Sequence, residues 1–222
     1  MRSLGGVDIA TLTLPSFFVK RYNKYPSLSP IQVKAIGAGL LNSKTMLVCA
    51  PTASGKTLVG AMALVNILGK GKGMYVVPLK ALGSEKFREF KELLLDTPYK
   101  IALSTGDVEG DENYLSRADI LILTSEKLDS LLRDRHEWLS EVKVVVVDEI
   151  HLLQDQSRGP TLEIVITLLK MLFSPQIVGL SATIGNPQEL ATWLGGELVC
   201  DTWRPVKLEQ GIYVDGKVEF FE

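Results

Sequence analysis

The sequence predicts an α/β fold with a mostly parallel central sheet flanked by helices on both faces. Short β-branched apolar runs alternate along the chain with segments whose apolar residues recur at helical spacing, the pattern of βαβ units. Four of those runs, 46–50, 74–78, 119–124 and 143–147, are apolar at almost every position, as strands covered on both faces must be. A chain of 222 residues, 46% hydrophobic and 23% charged, supplies enough apolar surface for such a core and is too apolar for a solvated tail.

The first strand is expected at Met46–Ala50. Leu58, Ala61, Leu64, Val65 and Leu68 then recur at i, i+3 and i+4 steps, which predicts a core-facing helix. Strands follow at Met74–Pro78, Lys100–Ser104 and Asp119–Thr124, and Leu128, Leu131 and Leu132 give a second core-facing helix. After strands at Lys143–Val147 and Gln176–Leu180, Asn186–Pro187–Gln188–Glu189 reads as a helix start: a cap, a proline at the first helical position and an acid three residues after the cap. Gly195 supplies the stop, and Trp193 is expected in the core. A strand at Glu197–Cys200 precedes a change of character at Trp203–Arg204–Pro205. Beyond it, Ile212 and Val214, then Val218 and Phe220, alternate about Asp215–Gly216 and predict a hairpin. Residues 1–205 are therefore expected to form one domain, with 1–45 leading into the first strand and 206–222 as an exit ribbon.

Lys plus Arg number 24 against 26 Asp plus Glu, a net charge of −2, so no overall positive field gathers nucleic acid or an anionic membrane. A polyanion must be held by local groups. The two cysteines, Cys49 and Cys200, sit in apolar strand-like stretches without metal or redox spacing and are expected to be reduced core residues. No run of eighteen apolar residues occurs and the first residues lack the features of a signal peptide, so an intracellular, cytoplasmic protein without a membrane is expected.

Chemistry concentrates first in Ala50–Pro51–Thr52–Ala53–Ser54–Gly55–Lys56–Thr57, between an apolar strand and an apolar helix. Small residues let consecutive backbone N–H groups of Thr52, Ala53, Ser54 and Gly55 curl around phosphates while the helix N-terminus adds its dipole. Lys56 would reach the β/γ oxygens of ATP, and the Thr57 hydroxyl would ligate Mg²⁺. Ala50 stands where the first glycine of such loops is usual. A second cluster, Asp148–Glu149–Ile150–His151, leaves the end of an apolar strand, where an acidic pair is costly unless it meets a cation. Asp148 fits as the Mg²⁺ carboxylate and Glu149 as the group that orients or deprotonates the attacking water.

Together these residues resemble superfamily 2 helicases, and Asp-Glu-Ile-His with Ala-Pro-Thr-Ala-Ser-Gly-Lys-Thr is similar to their Ski-like branch. The resemblance covers nearly the whole chain and implies a RecA-like phosphate-loop NTPase domain. It implies that Leu28–Ser29–Pro30–Ile31–Gln32 is the adenine-reading Q element, with Gln32 on the base edge; Phe17 or Phe18 would stack on adenine or anchor that element. Val77–Pro78–Leu79–Lys80–Ala81–Leu82 resembles motif Ia. Thr105–Gly106–Asp107 and Thr124–Ser125–Glu126–Lys127 resemble further strand-end motifs. Through Lys80, Thr105, Gly106, Thr124, Ser125 and Lys127 they would grip a nucleic-acid backbone by phosphate contact without reading bases. Ser181–Ala182–Thr183 resembles motif III, so Ser181, Thr183 and His151 would couple hydrolysis to movement, and Trp203–Arg204–Pro205–Val206 resembles the crossing between motor domains.

The flavour is closest to archaeal DNA-repair helicases, which implies 3′-to-5′ movement on single-stranded DNA, with RNA as the alternative polymer. It also implies a second RecA-like domain of the same full-length chain, so the domain alone is expected to hydrolyse ATP poorly. Two rival readings are a phosphate-loop enzyme acting on a small molecule and a non-catalytic adaptor. The first lacks a segment long enough for a substrate lid; the second sits badly with intact Lys56, Thr57, Asp148 and Glu149.

Overall fold

A computed structural model describes residues 7–25, 27–106, 112–206, 209, 211–214 and 216–220. In chain order, helices α1 (Ser16–Tyr22) and α2 (Pro30–Gly37) precede strand β1 (Met46–Cys49) and helix α3 (Lys56–Asn66). Strand β2 (Lys72–Val77), helix α4 (Lys80–Leu93), strand β3 (Ile101–Ser104), helix α5 (Glu112–Ser116) and strand β4 (Ile120–Thr124) follow. Then come α6 (Ser125–Asp134), β5 (Val142–Val147), α7 (Gly159–Leu172), β6 (Gln176–Ser181), α8 (Pro187–Leu194) and β7 (Glu197–Cys200). Strands β8 (Gly211–Val214) and β9 (Lys217–Phe220) close the series. Helices α1, α4, α5 and α7 add to the elements that the periodicity predicts.

Seven strands form one sheet in the order β3-β4-β2-β5-β6-β1-β7, and each of its pairings is parallel. Because side chains alternate along a strand, each strand feeds two cores. Met46, Val48, Tyr75, Ile122, Val146 and Leu180 point to one face, where Phe18 of α1, Ile31 of α2, Val59 of α3 and Phe90 of α4 cover them. Leu47, Met74, Leu121, Val145 and Ile177 point to the other, under Leu115 of α5, Leu128 of α6, Leu162 of α7 and Leu194 of α8. The first four helices thus cover one face and the last four the other. Each fully buried Leu, Ile or Val contributes on the order of 1.5–3 kcal/mol, so the double cover is the main source of stability.

The four most apolar runs are interior, as expected, and β3 and β7 are the edges. Strand β6 is interior as well, between β5 and β1. Its apolar run is broken by Gln176, whose buried amide donates to the carbonyls of Leu40 and Lys44 at 2.8 and 2.9 Å. That residue satisfies loop carbonyls that the core would otherwise strand.

Three other expectations are corrected. Cys49 is buried, but its register partner Cys200 is exposed, because β7 is an edge strand. Trp193 is half-buried, with the Lys170 ammonium 5.5 Å from its ring centre, instead of enclosed in the core. Asn186 makes no side-chain bond to the backbone of α8; its amide donates to Glu189 Oε2 at 2.9 Å. Gly195 does end α8, in a left-handed conformation with φ 73°. Strands β8 and β9 pair antiparallel, as the alternation predicted, and carry exposed Tyr213 and Phe220; Asp215 of the turn lies outside the described residues. Among the described residues no helix is long and apolar enough to cross a membrane.

Candidate functional site

Parallel strands bring their following loops to one edge of the sheet, where open α/β sheets bind ligands. The Ala50–Thr57 loop leaves β1 there and Asp148–Glu149 leaves β5 there, with Ser181 ending β6 between them. The loop makes its turn with Ala53 at φ 66° and Gly55 at φ 96°. Gly55 is required twice over: its φ is left-handed, and a Cβ there would sit 2.3 Å from Gln32 Nε2. One turn into α3, a Cβ at Gly60 would meet Val146 Cγ1 at 2.9 Å, so the glycine lets this helix sit close on the sheet.

The Q element is stitched to that loop. Ser29 Oγ donates to the Ser54 carbonyl at 2.8 Å, and Gln32 Nε2 donates to the Gly55 carbonyl at 3.0 Å. Gln32 Oε1 accepts the Ser29 N–H at 2.9 Å, closing a capping box on α2. One lone pair and one N–H of the buried amide remain for another partner. Beneath them a cavity of about 510 Å³ is lined by Gln32, Gly55, Thr57, Tyr22, Tyr25 and Trp203, among others. Phe18 is fully buried and anchors α1, while Phe17 packs toward Tyr99 at 6.3 Å. The aromatic walls of the cavity are therefore Tyr22, Tyr25, Phe90 and Trp203, which sequence reasoning missed.

Lys56 Nζ donates to the carbonyls of Ala50 and Pro51 at 2.6 and 2.9 Å, which holds the ammonium at the mouth of the loop. Burial lowers its pKa from the ordinary lysine value, Glu149 and Asp148 oppose that drop, and Arg204 from the crossing segment adds to it. Lysine and both carboxylates thus share one electrostatic environment. Ser54 Oγ is buried without a hydrogen-bond partner among the described residues, and Thr52 is exposed at the rim.

Asp148 is held at both oxygens. Its Oδ1 accepts the Glu149 N–H at 3.0 Å, and its Oδ2 accepts the Tyr75 O–H at 2.9 Å. Burial first, then the Asp148 charge, pushes the Tyr75 phenol well above its ordinary pKa. Glu149 occupies left-handed backbone, φ 49° and ψ 43°, a conformation that costs a non-glycine residue about 1–2 kcal/mol. His151 Nδ1 lies 3.3 Å from Glu149 Oε2, outside hydrogen-bond geometry. His151 also lines a groove of about 250 Å³ with Ile184, Asn186 and Trp193, so the segments after β5 and β6 meet there. Ser181 is buried beside Cys49, whose thiol burial and the neighbouring Cys200 push up to about 12, whereas Thr183 is exposed.

The remaining predicted residues follow β2, β3 and β4 on the same edge. Lys80 starts α4, and its Nζ is 3.6 Å from the position a Cβ would take on Gly106. Thr105, Thr124 and Ser125 are buried, and Thr124 Oγ1 accepts the Lys127 N–H at 3.4 Å, which caps α6. Asp107 lies outside the described residues.

A phosphate-type loop facing an acidic pair, at the loop edge of a parallel sheet, is the arrangement of a nucleotide-binding α/β domain. Residues 29–190 match the DEAD/DEAH box helicase family, and the chain belongs to it. More particularly, it is similar to ATP-dependent DNA helicase Hel308 of Methanocaldococcus jannaschii, at 54% identity over 201 residues that cover 87% of this chain and 17% of the relative. Hel308 of Caldivirga maquilingensis is 44% identical over 220 residues, 96% of this chain and 29% of the relative. Helicase Lhr of Mycobacterium smegmatis, solved bound to ssDNA and AMP-PNP, has a TM-score of 0.73 at 28% identity, over 85% of this chain and 28% of its own. The chain spans less than a third of each of these proteins.

Proposed function

We propose that this chain is the ATP-binding first motor domain of an ATP-dependent helicase that moves on single-stranded DNA. Residues 1–205 form the domain and 206–222 lead toward a second RecA-like domain. The observation that carries the reading is the Gly55–Lys56–Thr57 loop sharing an electrostatic environment with Asp148 and Glu149 while the Q element is bonded to the same loop.

In this reading the loop amides from Thr52 to Gly55 and the α3 N-terminus bind the phosphates, and phosphate oxygens take the Lys56 ammonium from the carbonyls of Ala50 and Pro51. Gln32 offers its spare N–H and lone pair to the base edge, and the aromatic walls enclose the base. A Thr57 hydroxyl and an Asp148 carboxylate held in one orientation form an all-oxygen donor set, which suits Mg²⁺. That ion, when bound, neutralises charge on the β and γ oxygens. Glu149 accepts the proton of the attacking water, and His151, beside it, passes its position to the segment after Ser181 through the shared groove. Lys80 and Lys127, with Thr105, Gly106, Thr124 and Ser125, meet the backbone of a single strand.

The name of the Hel308 relatives favours DNA over RNA as the polymer. The test is steady-state ATP hydrolysis by this chain and by a chain extended through a second motor domain, each with single-stranded DNA, single-stranded RNA or no polymer. The extended chain should be stimulated by DNA and this chain should be slow and insensitive to it. Stimulation by RNA alone would move the assignment to an RNA motor, and stimulation by neither would refute the motor reading.

A further inference from the structure

Tyr75 lies in the middle of β2, between Met74 and Val76, and is fully buried. Its ring is held from two sides: the Phe90 ring is 5.9 Å away, and Cε2 sits 3.4 Å from where a Cβ on Gly60 would be. Phenylalanine would fill this space equally well, so packing does not call for the hydroxyl. That hydroxyl reaches the end of the neighbouring strand and donates to Asp148 Oδ2 at 2.9 Å. The same strand also holds the Asp148 backbone, because the Asp148 N–H donates to the Val76 carbonyl at 2.9 Å. With the Glu149 N–H on Oδ1, main chain and side chain of Asp148 are fixed at three points.

We propose that Tyr75 is a positioning residue for nucleotide-bound magnesium: its O–H orients the Asp148 carboxylate toward the cation site. This rests on the proposed nucleotide site. The competing orientation is set by charge, since Asp148 and Lys56 attract one another across the site. Without the phenol proton, Oδ2 is free to turn toward the Lys56 ammonium, which removes from the cation the carboxylate that should receive it. No family motif quoted for this chain includes Tyr75; the signal in the sequence is a polar-tipped residue among the apolar Met74, Val76 and Val77.

The test is calorimetric binding of ATP to this chain over a series of Mg²⁺ concentrations, for the native chain, Tyr75→Phe, Asp148→Asn and the double variant. Tyr75→Phe should raise the Mg²⁺ concentration at half-maximal binding about tenfold, the size expected for loss of one charge-assisted hydrogen bond. Binding of ATP in chelator should change far less. In the Asp148→Asn background, Tyr75→Phe should add no further shift, which a merely structural role for the phenol would not reproduce. An unchanged Mg²⁺ midpoint, an additive double variant, or a Tyr75→Phe chain that does not fold would each overturn the positioning role. Failure of the native chain to bind ATP at any Mg²⁺ concentration would instead overturn the nucleotide site itself.

Discussion

The two stretches of the sheet's functional edge tie down their polar groups in different ways. Over β5 and β1, the bonds run between distant parts of the chain: Ser29 to Ser54, Gln32 to Gly55, Tyr75 to Asp148. Over β4 a tie is local, with Thr124 capping the helix that begins at the next residue. Long-range ties fix atoms relative to one another, as a compact ligand of fixed shape requires. A local cap leaves the start of α6 to meet a phosphate on its own, which suits a polymer that must be held anywhere along its length. In the proposed function, rigidity belongs to the nucleotide stretch and tolerance to the polymer stretch.

Lys56→Ala strikes the rigid half hardest. It should abolish measurable ATP·Mg²⁺ binding by calorimetry while the thermal unfolding curve stays near the native one, because the side chain lies at the loop mouth and its removal opens no core cavity. Native affinity in a folded variant would break the assignment of the two halves. Next in size is Glu149→Gln in a chain extended through the second motor domain. Nucleotide affinity should hold, and turnover should fall by roughly 10² to 10⁴, the contribution of a positioned general base; parental turnover would remove Glu149 from that role.

The stitching itself is tested by Ser29→Ala combined with Gln32→Ala. Each hydrogen bond is worth about 0.5–1.5 kcal/mol, so ATP affinity should drop at least several-fold while single-stranded DNA affinity, measured by fluorescence anisotropy, stays the same. Equal losses for both ligands would mean the halves are not separable. On the tolerant half, DNA binding should be weak, with a log–log salt slope of about −2, at roughly −0.7 per phosphate neutralised. Lys80→Ala and Lys127→Ala should each flatten that slope by about 0.7 and leave ATP affinity untouched; a slope near −6 would reveal a basic groove.

The smallest effect concerns the tie from α2 to the end of β7. Lys34 Nζ is 2.8 Å from Asp201 Oδ2. Burial pushes the Asp201 carboxyl up, but the Lys34 bond and the N–H groups of Trp203 and Thr202 outweigh it and leave the pKa below the ordinary aspartate value. Its stabilising contribution is full above that ordinary value, about 4, and is lost as pH falls through the depressed folded-state value. Thermal unfolding of the native chain and Asp201→Asn should therefore differ slightly near neutrality and converge in acid. A gap that widens toward low pH would contradict the tie.

How far the sequence discloses this molecule depends on whether neighbours in space are neighbours in chain. The seven strands were legible because an apolar run needs no partner to be recognised, and the Ala50–Thr57 loop because its chemistry prescribes each residue type in a row. Strand β6 was not legible as interior, since Gln176 serves carbonyls of Leu40 and Lys44 far upstream. Cys200 was misplaced because nothing local says that β7 is an edge. The Tyr75 hydroxyl was hidden by its apolar surroundings, and its acceptor stands seventy-three residues away. The walls of the 510 Å³ cavity were invisible for the same reason: Tyr22 and Trp203 become adjacent only after folding.

That last pairing makes the cavity a clasp. Tyr22 and Tyr25 belong to the segment that enters the domain, and Trp203 and Pro205 to the segment that leaves it, so whatever occupies the space between them touches both ends of the fold at once. Arg204, between the two exit residues, is also felt by Lys56. An occupant therefore fastens the leaving segment against the entering one. Limited proteolysis reads this out: ATP should slow cleavage at both termini together, by a factor that grows with occupancy, while sites in the α6 and α7 layer on the far face keep their rate.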